Sequence, residues 1–185
     1  MKRKIFIAIL FTGLLDVQAQ SNDKYQVQDH NQLEIEVKGV VCSFCAYGTE
    51  KNLARLDFVE PKLFGGDGVL LDLENAAITL ALQKDKAINF GYIVQAIEKG
   101  GYVPVAIHLQ LNGLVVKQNR ELFIQDERNG QLFRLLTDGD QPWNEESSVG
   151  KKVSIQGVIP AAFVDKDNAP DIQAVRVKEF KPAMN

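Results

Sequence analysis

The only two cysteines of this 185-residue chain, Cys42 and Cys45, stand three positions apart. A bridge between them closes too small a loop to restrict the unfolded chain much. No other cysteine exists to tie distant segments together, so disulfides do not staple this fold. The pair is there for its chemistry.

The leader carries Lys2, Arg3 and Lys4, then an apolar run from Ile5 to Leu15, then Val17-Gln18-Ala19 with small residues at the cleavage positions. That is the pattern of a secretory signal peptide over residues 1–19, cut after Ala19. The apolar run falls short of the roughly 20 residues of a membrane-spanning helix, so no span is expected after cleavage. The expected location is periplasmic or secreted. Losing the leader removes three of the 21 basic and one of the 24 acidic residues, leaving a net charge of −5. Such an acidic chain gains nothing from the counterion release that drives nucleic-acid binding.

Residues 20–32 are polar and aperiodic and read as a flexible arm. Leu33-Glu34-Ile35-Glu36-Val37 alternates as a half-buried strand does. Past the cysteines the spacing becomes helical, with Thr49, Leu53 and Leu56 on one face. Val69–Leu73 and Ile78–Leu82 form a hairpin around Glu74-Asn75. Asn89 caps a second helix that ends at Gly100-Gly101, and Tyr102–Ile107 is a further strand. The order βαββαβ predicts a ferredoxin-like sandwich. From residue 109 the pattern turns all-β. Leu111–Lys117, Glu121–Gln125, Gln131–Leu136, Lys152–Ile159 and Ile172–Phe180 read as strands, with Asn129-Gly130 as a hairpin turn. A long connection, residues 138–148, follows the third of them. The expected class is α+β: a ferredoxin-like unit over 33–108 and an OB-like barrel over 109–185.

Two thiolates at the mouth of a helix can close on one ion. Thiolates select soft ions such as Cu(I) or its toxic mimic Hg(II). Zn(II) would seek four ligands. The helix N-terminus at Cys45 favours thiolate over thiol. The only histidines, His30 and His108, lack ligand-like neighbours in sequence and read as bystanders. The same spacing also permits a local disulfide without a metal role, or a thiol–disulfide redox pair.

The run Gly39-Val40-Val41-Cys42-Ser43-Phe44-Cys45 resembles the metal loop of heavy-metal-associated domains, the fold of copper chaperones and periplasmic mercury carriers. Glu50, Lys51 and Leu53, the hairpin from Leu71 to Leu80, and Ala96–Tyr102 extend the resemblance over residues 33–107. Val40 and Val41 stand where the family carries Met and a polar residue. The resemblance implies one metal ion held by Cys42 and Cys45, with Tyr102 beside the loop as a shield. Tyr102 also reads as a plain core residue. Phe44 is expected to be exposed and to dock a partner.

The C-terminal part, with 10 basic and 11 acidic residues, has no charge for nucleic acid. Its Trp143 is a candidate anchor for a protein partner. No catalytic set is readable, so no enzyme is expected. The expectation is an exported protein that binds one soft metal ion, Cu(I) first, with Hg(II) and Zn(II) as other ions. Its partner would be an envelope metal-transport or other protein. The alternatives are an envelope interaction module with an oxidised, incidental cysteine pair, and a redox protein.

Overall fold

A computed structural model of the protein describes residues 27, 29–39, 43–136, 145–167 and 172–182. The leader, most of the arm, Cys42 and Trp143 therefore lie outside the described residues. Of the arm, Val27 is buried and Asp29–Gln32 forms a turn, closed by Gln32 N–H donating to the Asp29 carbonyl at 3.0 Å. The chain is α+β. The strands are β1 (Gln32–Lys38), β2 (Val69–Asp72), β3 (Ala77–Ala81), β4 (Val103–Gln118), β5 (Glu121–Asp126), β6 (Leu132–Leu136), β7 (Lys152–Pro160) and β8 (Gln173–Pro182). Among the described residues two helices, α1 (Ser43–Leu53) and α2 (Phe90–Lys99), exceed two turns, and a short α3 (Glu145–Ser148) lies within the connection expected to be a loop.

The first six elements follow the expected β-α-β-β-α-β order, and their strands lie side by side as β2-β3-β1-β4, all antiparallel. Leu33, Ile35 and Val37 of β1 alternate inward. Register sets Leu33 beside Leu80 and Leu109, and Ile35 beside Ile78 and Ile107, so one apolar face runs across the sheet. Residues paired across a ladder point to the same side. Leu53 of α1 and Ile93 and Ile97 of α2 bury against that face.

Two segments that read as separate strands, Tyr102–Ile107 and Leu111–Lys117, are one strand, β4, and residue 109 lies inside it. The strand is shared. Leu109 pairs with Leu33 on one edge and with Gly157 on the other. Beyond that point β4 pairs with β5, β5 with β6, β6 in parallel with β8, and β8 with β7, which returns to β4 and closes a five-stranded barrel. Gly113 is where β5 takes over the edge of β4 that β1 has left, and it pairs with Asp126 on that edge and Val153 of β7 on the other. A Cβ there would run into the Gln125 carbonyl and come within 3.2 Å of Asp126 Cα. Only a residue without a side chain lets the two backbones approach so closely.

The helical layer also rests on the barrel. Phe90 meets Phe133 edge to face, centroids 6.0 Å apart at 81°. Ile88 N–H donates to Gln131 Oε1 at 2.8 Å, and Gln131 Nε2 donates back to the Ile88 carbonyl at 2.9 Å. Lys166 pairs with Glu98 at 2.9 Å. The Asn129-Gly130 signal makes a longer loop than a two-residue turn: Asp126 pairs with Gln131 around it, and the Asn129 side chain donates to the Lys86 carbonyl. The tight turn falls instead at Asn119 and Arg120, both left-handed at φ 49° and 69°, between the paired Gln118 and Glu121.

Two outcomes follow from these strands. Arg120 is exposed and held at φ 69°, so Arg120→Gly should raise stability by about 1 kcal/mol in denaturant unfolding, by relieving a left-handed side chain. Burial, and after it the nearby Asp72 carboxylate, hold the Glu34 pKa above its ordinary 4.5. A carboxyl whose folded pKa is raised costs stability once pH climbs through that value, and costs nothing below the unfolded pKa. Glu34→Gln should therefore raise the melting temperature at pH 7, and the gain should fade below about pH 4.5.

Candidate metal-binding site

The site is built from three loops at one end of the sheet. β1 leaves through Gly39, the β2–β3 hairpin turns there, and α2 returns to β4 there through Gly100-Gly101-Tyr102. Asn89 starts α2 as its sequence suggests, its side chain accepting the Tyr92 N–H at 3.1 Å. The helix ends with Gly101 N–H on the Glu98 carbonyl at 3.0 Å and Tyr102 N–H on the Ile97 carbonyl at 3.2 Å. That is a Schellman cap, which requires a left-handed residue, and Gly101 supplies it at φ 93°. The cap fixes Tyr102 inward, buried with Ile97.

Cys45 is the third residue of α1, half-buried and packed against the core. Its Sγ lies 3.7 Å from the place a Cβ would take on Gly101. Gly39 approaches the same turn: a Cβ on it would stand 3.3 Å from the Gly101 carbonyl oxygen and 3.5 Å from Tyr102 Cα. The first turn of α1 thus meets the cap of α2 at the Cys45 sulfur, and the exit from β1 meets the same cap. Cys42 lies outside the described residues, between Gly39 and Ser43.

Position along α1 sorts the rest of the helix. Cys45, Thr49 and Leu53 recur every four residues and face α2, as residues at that spacing do. Thr49 lies against Gly100, whose hydrogen in place of a methyl lets the helices approach so closely. Asn52 Nδ2 donates to the Ala96 carbonyl at 3.3 Å. The helix stops at Leu53, so Leu56 packs from the following turn rather than from the helix. Phe44 and Tyr47 point the other way, 87% and 61% exposed. Lys51 lies 5.4 Å from the Tyr47 ring centroid and reaches Glu50 at 3.1 Å and Asp67 at 3.4 Å.

No acidic residue occupies the first turn of α1, so the positive end of the helix acts on Cys45 unopposed from its own turn. Among the described residues no three His, Cys, Asp or Glu side chains converge on a point. His30 precedes β1, at the end of that strand remote from Gly39, with Nδ1 3.8 Å from Asp29 Oδ1. His108 lies in the middle of β4, opposite Glu34 and Val158. With strands rising about 3.3 Å per residue, both stand well over 10 Å from the cysteine end. The Thr49–Gly100 contact escapes sequence reading, although a second glycine beside the one the cap needs was its signal. The chain matches no protein-family model and no curated protein. No helix among the described residues is long and apolar enough to cross a membrane.

The helix contact carries a direct test. A Cβ on Gly100 would strike Thr49, coming within 2.8 Å of its Cα, so Gly100→Ala should cost about 1–3 kcal/mol of stability. Thr49→Ala in the same chain should recover only part, since the clash includes backbone. Thermal unfolding of the two variants measures both.

Proposed function

We propose that this is an exported protein that holds one soft metal ion, Cu(I) foremost, between Cys42 and Cys45, for metal handling or transfer. The observation that carries the reading is the placement of Cys45 Sγ in the first turn of α1, against Gly101 of the cap that the exit of β1 also approaches. A thiolate there is favoured by the helix end, partly shielded by the cap, and three residues from its partner. Copper is cargo in this account, bound by sulfur because soft ions prefer it.

The strand order β2-β3-β1-β4 beneath two helices supports a ferredoxin-like unit of the heavy-metal-associated kind over residues 33–108. The closed order β4-β5-β6-β8-β7 with a parallel β6–β8 pair supports an OB-like barrel over residues 109–185. The leader pattern supports export to the periplasm or beyond. One observation favours a second reading, an envelope interaction module: Phe44 and Tyr47 present large apolar surface beside the cysteines. The two readings differ in whether metal is retained.

Native mass measurement of the reduced chain with Cu(I) should show one ion per chain. Cys42→Ser or Cys45→Ser should weaken binding by orders of magnitude, oxidation of the pair should abolish it, and Zn(II) should bind far more weakly. His30 and His108 replacements should change little. Copper retained at full strength by the double serine variant would place the site elsewhere.

A further inference from the structure

β6 and β8 run parallel, so the loop before β6 and the start of β8 stand at one end of the barrel. α2 begins there, at the far end of the helix from the cysteine cap. A cleft of about 790 Å³ opens between residues 88–92 on one side and residues 130–132, Ile172 and Gln173 on the other. Mouths of barrels are favoured places for ligands, and roughly 300–1,000 Å³ is the usual size of such pockets. One wall residue stands out. β8 alternates, so Gln173 points the same way as Val175 and Val177, into the barrel. It is 4% exposed, its Nε2 reaches only the adjoining Ala174 carbonyl at 3.3 Å, and its Oε1 accepts no hydrogen bond among the described residues. A buried oxygen left this way is costly unless something supplies a donor. The neighbouring amides are spent on the fold: Gln131 exchanges two hydrogen bonds with Ile88, and Asn129 donates to the Lys86 carbonyl and accepts the Gln131 N–H.

Charge narrows the occupant. No lysine or arginine lines the cleft among the described residues, and its one carboxylate, Asp57, is exposed with Lys86 Nζ 4.0 Å away. An anion therefore has no cation to meet, and a cation would face the positive end of α2. Phe90 and Gly91 line the cleft, and first-turn N–H groups have no intrahelical acceptor. Asn89 takes only that of Tyr92. The wall thus sets acceptors, at Gln173 and Asp57, beside donors, and an uncharged hydroxyl can meet both. Ile88, Phe90, Leu132 and Ile172 supply apolar surface, and the Tyr92 ring is exposed. We infer that this cleft binds a small neutral carbohydrate, one hydroxyl donating to Gln173 Oε1 and the apolar face of the sugar ring lying on Tyr92. Binding forms and breaks no covalent bond. The inference stands apart from the soft-metal reading, since it uses neither cysteine and lies at the opposite end of α2.

The test is an NMR titration of the full chain with glucose, N-acetylglucosamine and maltose, and with acetate and ethylammonium as charged controls. At least one sugar should shift the Gln173 side-chain amide and the methyls of Ile88 or Leu132, and the controls should shift neither. Gln173→Leu should weaken that sugar by about tenfold. The variant should fold, since the amide it removes bonds only the neighbouring Ala174 carbonyl. Tyr92→Ala alters an exposed side chain and should also weaken the sugar, and it decides the matter if Gln173→Leu fails to fold. Cu(I) uptake should be the same in both variants as in the parent chain. No shift of these groups with any of the three sugars, tighter binding of either control, or full affinity in both variants overturns the carbohydrate site and leaves the metal reading standing.

Discussion

Strand β4 is hydrogen-bonded along both edges at once. Over Ala106–Leu109 it pairs with β1 on one side and β7 on the other. A strand committed this way cannot shift register without turning its buried residues outward in two places. Its alternation, Ile107, Leu109, Leu111 and Val115, supplies the floor under the helices and then the barrel interior, and one apolar cluster spans both. The cysteine end depends on it. β4 begins immediately after the Gly101-Tyr102 cap, so the register of β4 sets where that cap stands relative to Gly39 and Cys45.

Small residues do the positioning at that end. Gly100 admits Thr49 and brings the helices together, Gly101 takes the left-handed turn, and Gly39 brings the chain out of β1 against it. Each replaces a side chain by backbone proximity, so the turns that carry the cap and the strand exit are held by close contacts with each other and with α1. The barrel contributes through contacts with the start and outer face of α2, at Phe133, Gln131 and Lys166.

Much of this was legible because the period of apolar residues reports which face is buried. Leu33-Glu34-Ile35-Glu36-Val37, the Asn89 cap, the Gly100-Gly101 end and the barrel strands after β4 fall within a residue or two of their expected places. The continuity of β4 through residue 109 was legible too, since Ile107, Leu109 and Leu111 alternate across it without a break. It was divided because the character of the neighbouring segments changes at residue 109, which a strand serving two layers does not register. The Asn-Gly signal misled about loop length because the Asn129 amide is spent on Lys86, 43 positions away. Nothing local predicts an Asn-Arg pair at a tight turn. In the site, the motif named Cys42 and Cys45, while the company of Cys45 is set by contacts from α2 some fifty residues on.

The central claim is that sulfur from both cysteines holds the metal at this end of the molecule. X-ray absorption of the reduced chain loaded with one equivalent of Cu(I) reads the ligand atoms directly. Two sulfur neighbours and no histidine nitrogen are expected, falling to one sulfur in Cys45→Ser. A first shell dominated by nitrogen or oxygen, or one unchanged by that substitution, would contradict the account.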